Sequence, residues 1–260
     1  MRFAIGSIES TRLPNYSQLK IIGGIIIPIR WRPFMVSLHS ESEFICGGTI
    51  LSSVWILTAY HCIDPDFYTT RYYVRAGSSY HDHGGSVHAV LGRKMYNPQL
   101  HKYGIPIHDI ILLRINPPLE FSFKIKPAKL PDSDFIPSWL WVSGWGATET
   151  KSTSDLLRTV RIRYIPYEIC INSAPSYEVL LNRNYHVCYG DPGYDSCYGD
   201  SGGPLSGTTV IYGIVSFGNR CAIDPGVYAR VFYYKDWIKE VTGQSNFLKM
   251  PLRSVINKRP

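Results

Sequence analysis

The segment GDSGGP (199–204) sets a serine among glycines. Ser201 would be exposed there, and neighbouring backbone N–H groups could approach a substrate oxygen with no side chain in the way. Standing alone, such a segment reads as an ordinary Gly-rich turn. Two other segments supply groups that would make its hydroxyl reactive. LTAYHC (57–62) puts His61 beside a cysteine at the end of a strand-like run, and HDIILLRI (108–115) opens an apolar run with Asp109. A lone histidine or aspartate at such a place is usually a satisfied surface or core group. Together, in the order His, Asp, Ser, they match one of the chain orders known for a base, its orienting acid and a nucleophilic serine.

These side chains need a rigid scaffold, and the chain reads as one built of strands. Short β-branched or aromatic runs bounded by Gly, Pro, Asp and Asn occur at 34–39, 47–52, 55–60, 72–77 and 109–115. A stretch rich in Pro and Lys (124–137) reads as a linker, after which the pattern resumes at 139–146, 159–165, 209–218 and 226–232. The persuasive helix is YYKDWIKEVTG (233–243), with Gly243 as its stop. Residues 1–20 are polar and irregular, and 244–260 form a basic tail without pattern.

Composition narrows the class. Hydrophobic residues make up 45% of the 260 and charged residues 18%, enough for a packed core and against global disorder. The net charge of +7 would suit a nucleic-acid binder, but the basic residues are scattered and no recognition motif accompanies them, so that partner is not expected. Six cysteines, with no C-x-x-C pair, fit three disulfides in an oxidising compartment rather than a zinc or redox site. The first residues, MRFAIGSIES, hold too short an apolar run for a clear signal peptide, and no stretch is long enough to span a membrane. An extracellular protein with no membrane contact is expected, with its export route not visible in the sequence.

Taken together, IIGG (21–24), CGGTILSSVWILTAYHC (46–62), DIILL (109–113), VSGWGAT (142–148), DSCYGDSGGPL (195–205), IVSFG (214–218) and PGVYARV (225–231) resemble the trypsin/chymotrypsin family of serine proteases, and within it arthropod-type trypsins. The resemblance runs from about Ile21 to Gly243. It implies an all-β fold of two packed six-stranded antiparallel β-barrels (about 21–130 and 138–232) with a C-terminal α-helix. It also implies a 1–20 activation segment and a tail at 244–260. The implied chemistry is peptide-bond hydrolysis through an acyl-enzyme, with Ser201 as nucleophile, His61 as base, Asp109 orienting His61, and the N–H groups of Gly199 and Ser201 forming the oxyanion hole.

The same resemblance places Asp195 at the floor of the primary pocket, followed by Ser196, with Ser216 behind the triad and Gly218 and Gly226 in the pocket walls. That arrangement implies cleavage after Lys or Arg, because a buried carboxylate needs a cation. Lys20–Ile21 resembles a zymogen activation bond, whose new ammonium would pair with Asp200. The implied disulfides are Cys46–Cys62, Cys170–Cys188 and Cys197–Cys221; the cysteines of a further family pair are replaced by Leu140 and Gly207. The expected partners are protein or peptide substrates, an activating protease and protein inhibitors, for a monomer with no cofactor. The rival reading is a catalytically inactive homologue that binds or regulates, and the intact His61, Asp109, Ser201 and Gly199 weigh against it.

Several positions depart from the family pattern. Tyr60 stands where Ala is usual, Phe217 where Trp is usual and Arg220 where trypsins carry Gly, and the Cys221–Pro225 loop is two residues shorter. Arg220 is expected to project a cation at the pocket mouth and restrict substrates. HDHGGSVH (81–88) has the look of a metal cluster, but it lacks carboxylate or thiolate partners at good spacing, and no metal, calcium included, is expected there.

Overall fold

A computed structural model of the chain describes residues 24–101, 105–148, 151–196 and 198–243. The strands come in chain order as β1 (Ile25–Ile26), β2 (Met35–Ser40), β3 (Glu43–Ile50), β4 (Trp55–Thr58), β5 (Tyr72–Ala76), β6 (Ser86–Met95) and β7 (Ile111–Asn116), and then β8 (Trp139–Gly144) and β9 (Arg158–Ile165). Two short helices follow, α1 (Tyr167–Ile171) and α2 (Pro175–Leu180), and then β10 (His186–Gly190), β11 (Pro204–Ser206), β12 (Ile211–Phe217), β13 (Gly226–Arg230) and α3 (Val231–Thr242).

Strands β2 to β7 close into an antiparallel barrel in the order β2-β3-β4-β7-β6-β5. The second barrel runs β8-β9-β10-β13-β12-β11 and closes through the pairing of β11 with β8. Strand β1 adds to β9, with Ile25 opposite Thr159, so the chain's first described strand lies on the second barrel. The expected all-β architecture of two six-stranded barrels and a C-terminal helix is therefore the one found.

Period-2 alternation drives each wall. Along β9, Val160 and Ile162 are buried while Arg161 and Arg163 are exposed, and along β8 Leu140 and Val142 point into the same core. The core of the first barrel, with Val36, Leu38, Ile56 and Leu113 fully buried, continues without a break into Trp145, Ile214 and Tyr234 of the second half. One apolar cluster thus glues the barrels and fixes the cleft between them.

The strand-like runs of the sequence fall on β2, β3, β4, β5, β7, β8, β9, β12 and β13. The expected helix at 233–243 is α3, which begins two residues earlier and buries Val231, Tyr234 and Ile238 on one face. Gly243 ends it at φ 73°, a left-handed conformation natural to glycine. Cys46–Cys62 ties β3 to the turn that follows β4, and Cys170–Cys188 ties α1 to β10. Cys221 is also disulfide-bonded; Cys197, its expected partner, lies outside the described residues, as do Lys20, Ile21 and both terminal segments.

Helix α3 reaches the first barrel through a buried polar contact at Tyr234. The Tyr234 hydroxyl lies 3.0 Å from His108 Nδ1, immediately before Asp109 in the chain. Both residues are buried, so deleting the hydroxyl would leave an imidazole nitrogen without its partner. Tyr234→Phe is expected to lower unfolding free energy by about 1–3 kcal/mol in urea titration. An unchanged midpoint would mean that this contact does not anchor the Asp109 segment.

Candidate active site

His61 sits in a short 3-10 turn, Tyr60–Cys62, that follows β4 directly, with its backbone fixed by the Cys62 disulfide. Tyr60, unusual at its place, lies half-buried against the first barrel's core. Asp109 precedes β7 and is 3% exposed. Its Oδ2 lies 2.7 Å from His61 Nδ1 and accepts the Ser216 hydroxyl at 2.6 Å, while Oδ1 accepts the His61 backbone N–H at 2.9 Å. A buried carboxylate accepts rather than donates, so His61 carries its proton on Nδ1 and leaves the Nε2 lone pair for the other side of the ring. Burial opposes the imidazolium, yet the charge and hydrogen bond of Asp109 raise the His61 pKa above its ordinary value. Burial likewise opposes ionised Asp109, and the His61 charge with the donors from His61 and Ser216 holds its pKa below the usual carboxylate value.

Ser201 is placed by contacts that only glycines permit. Its carbonyl accepts the N–H of Gly47 on β3 at 2.8 Å, so the loop from the second barrel is stitched onto the first. Gly202, at φ +73°, approaches so closely that a Cβ there would lie 2.1 Å from Thr58 Oγ1. Gly199 has φ +90° and faces Gly146, while the carbonyl of Tyr198 beside it accepts the Ala147 N–H at 2.8 Å. Asp200 is fully buried, and its Oδ1 accepts the Gly146 N–H at 2.9 Å. Side chains at Gly144 or Gly146 would collide with that carboxylate, at 2.2 and 2.5 Å respectively.

A cavity of about 290 Å³ opens between the barrels, and His61 and Ser201 line it together with Asp195, Ser196, Ser216, Gly218 and Gly226. Every pocket residue named from the sequence is brought to this one cavity. Asp195 is 2% exposed and takes the Ser196 N–H at 2.7 Å on Oδ1 and, weakly, the Ala222 N–H at 3.4 Å on Oδ2. No basic side chain pairs with it among the described residues. Burial pushes its pKa up to about 7, against the pull of those N–H groups. Gly226 cannot be enlarged, because a Cβ would come within 2.8 Å of Asp195 Oδ1.

Arg220 does not project into the pocket mouth. Its Nε and Nη2 donate to the two oxygens of Asp224, each at 2.9 Å, and Asn219 Nδ2 donates to the same carboxylate. The Arg220 hydrogen bond holds the Asp224 carboxyl below the ordinary range. The reason is proximity: four residues apart on a shortened loop, the two charges meet before the guanidinium can reach the cleft. Two buried phenols support the cavity wall from behind. Tyr177 of α2 donates its hydroxyl to the Pro225 carbonyl at 2.7 Å and accepts the Asn219 N–H at 3.0 Å, and the Tyr228 hydroxyl meets Ser196 Oγ at 3.0 Å. Tyr198, 74% exposed, lines the cavity itself.

The histidine-rich loop is held by hydrogen bonds within the protein. His83 pairs with Asp82 at 2.6 Å, and His88 lies 2.5 Å from the Pro117 carbonyl and 2.7 Å from Ser86 Oγ. Among the described residues, the group dense enough to suggest a metal is Cys46, His61 and Cys62, whose two sulfurs are already joined to each other.

The family described as Trypsin matches residues 21–238. Trypsin 5G1 of Aedes aegypti is 37% identical over 231 residues, covering 86% of this chain and 85% of its own. Among solved structures, neuropsin, a serine protease expressed in the limbic system of mouse brain, superposes with a TM-score of 0.76 at 26% identity, over 85% of this chain and all of its own. With strands, cleft and sequence agreeing along the same span, this chain belongs to the trypsin family of serine proteases.

Proposed function

We propose that the chain is a secreted endopeptidase that cleaves after Lys or Arg, made as a zymogen and activated by cleavage after Lys20. Asp195 carries the specificity: an ionisable carboxylate is buried in the lining of a cavity that also holds His61 and Ser201, with no cation to meet it among the described residues. Leaving such a group unpaired is costly, and a substrate guanidinium or ammonium would relieve that cost on binding. In this reading Ser201 Oγ attacks the scissile carbonyl, and His61 Nε2 takes its proton and returns it to the leaving amine. Asp109, held by Ser216, keeps the imidazole in the working tautomer. The N–H groups of Gly199 and Ser201 receive the developing oxyanion. The new ammonium of Ile21 would pair with Asp200, coupling cleavage to the Ser201 loop.

The direct test is to cut the chain at Lys20 and compare short Arg, Lys, Phe and Ala amide substrates. Turnover of Arg and Lys substrates alone is expected, and Ser201→Ala should abolish it down to the residual from binding and the oxyanion donors. Equal turnover of the Phe substrate would overturn the pocket assignment; no turnover after clean cleavage would favour an inactive binding homologue.

The raised pKa of Asp195 adds a pH signature. Below about pH 7 the empty pocket's carboxylate is protonated, and a cation must displace that proton to bind. Affinity of Ser201→Ala for a small amidinium ligand should therefore hold above pH 7 and fall, approaching about tenfold per unit, well below it. Asp195→Asn should bind weakly at all pH values with a flat profile, as calorimetry would show. A wild-type profile that is flat from pH 5 to 8 would place the Asp195 titration elsewhere.

Arg220→Gly would remove two of the donors to Asp224 and slacken the wall that Tyr177 and Asn219 support. A several-fold rise in KM for Arg substrates, with little change in kcat, is the expected result. A fall in KM would instead mark Arg220 as an obstruction.

A further inference from the structure

Away from the cleft, the outer face of the second barrel carries a ladder of alternating aromatic and cationic side chains. Trp139 and Trp141 on β8 lie opposite Arg163 and Arg161 on β9, respectively. Successive residues on one face of a strand stand about 6.5–7 Å apart, so the four form two rungs at that spacing. The rungs are also linked diagonally, because the Arg161 guanidinium lies over the Trp139 ring at 5.0 Å. Arg32, from the segment before β2, extends the stack by placing its guanidinium 5.5 Å over Trp141. Arg161, Arg163 and Trp139 are exposed. Asp191 neutralises part of this charge, through Arg163 Nε at 3.0 Å.

Nothing in the proposed chemistry uses this face, and its cost is evident: two indoles and three guanidinium groups lie on the side of the sheet that faces away from the core. Stacking holds a guanidinium flat while leaving its N–H edge available, the geometry that receives an oxyanion with two parallel hydrogen bonds. We propose that the Trp139–Trp141–Arg161–Arg163 face binds a polysulfated polysaccharide, with sulfate groups on the arginine edges.

Two observations select that partner over a nucleic acid. Bases bind such surfaces by stacking on open aromatic faces, and here a guanidinium already covers a face of each indole. The disulfides place the chain in an oxidising compartment, where sulfated glycans rather than nucleic acids are the abundant polyanions. The chain's +7 net charge would favour the encounter without giving it a location.

The test titrates full-length protein with heparin oligosaccharide at several salt concentrations. R161A/R163A is compared with K94A/R114A, which removes equal charge from exposed positions on the first barrel. The ladder variant should bind much more weakly, and its slope of log affinity against log salt should fall by about two, while the control keeps the wild-type slope. Thermal unfolding checks that both variants are folded. R161K/R163K keeps charge but lacks the planar fork, so it should retain the slope and lose affinity; this variant decides the matter if the alanine pair fails to fold. Equal loss in K94A/R114A would reduce the effect to net charge and overturn the site. Single-stranded DNA binding as tight as heparin, through the same two arginines, would overturn the choice of partner.

Discussion

A carboxylate with almost no access to water must be paired or hydrogen-bonded, and Asp109 obtains its partners from both barrels. His61 donates from the turn after β4 of the first barrel, by its ring and by its backbone; Ser216 donates from β12 of the second. Neither barrel alone satisfies this charge. The requirement to keep Asp109 ionised therefore fixes how the barrels meet, and with it the orientation of the imidazole that faces the cleft. The apolar cluster running from Val36 through Trp145 to Ile238 supplies the adhesion, but it is not directional. Direction comes from hydrogen bonds, such as those of these three donors and that of the Gly47 N–H to the Ser201 carbonyl.

The serine loop answers to a different constraint, that of close approach. Gly47, Gly144, Gly146 and Gly202 surround Asp200 and Ser201, and an added Cβ at any of the last three would fall within 2.5 Å of another atom. Backbone can thus reach Thr58 on one side and the Asp200 carboxylate can seat against Gly146 on the other. The glycines are spread over β3, the end of β8 and the 199–204 segment, and they act as one packing unit. This explains why the segments CGGTI, VSGWG and GDSGGP, far apart in sequence, belong to a single site.

Much of this was legible beforehand. Strands with a clean two-residue period or a dense β-branched run were readable, as were α3 with its Gly243 stop and the motifs that converge on the cavity. The strands that escaped have physical reasons. In β6 the pairing with β7 shifts register between Val90 and Gly92, which breaks the alternation a reader would count. Strand β11 is three residues beginning with proline, and β10 is a five-residue run buried on both faces. Helices α1 and α2, at five and six residues, are too short for a 3.6-residue period to show. At the site, the residues with charge or glycine character were found and the supporting phenols Tyr177 and Tyr228 were not. Arg220 was misplaced because its effect was inferred from the pocket, when a partner four residues away had the prior claim.

Of the buried carboxylates among the described residues, Asp224 is met by Arg220 and Asn219, and Asp109, Asp200 and Asp195 separate structure from function by how each is treated. Asp109 has donors enough to stay ionised, with its pKa held low. Asp200 lies in a glycine-lined cradle, with Gly146 donating to it. Asp195 is the exception, since its donors only partly offset its burial and its pKa climbs to about 7. A fold selected for stability alone gains nothing from that arrangement, because an apolar residue of similar size would remove the desolvation cost. The glycine at 226 makes the point sharper: it keeps clear the space beside Asp195 Oδ1 that any side chain would fill. Both features make sense together if the missing partner arrives with the substrate, so that the free energy withheld during folding is released on binding a cation.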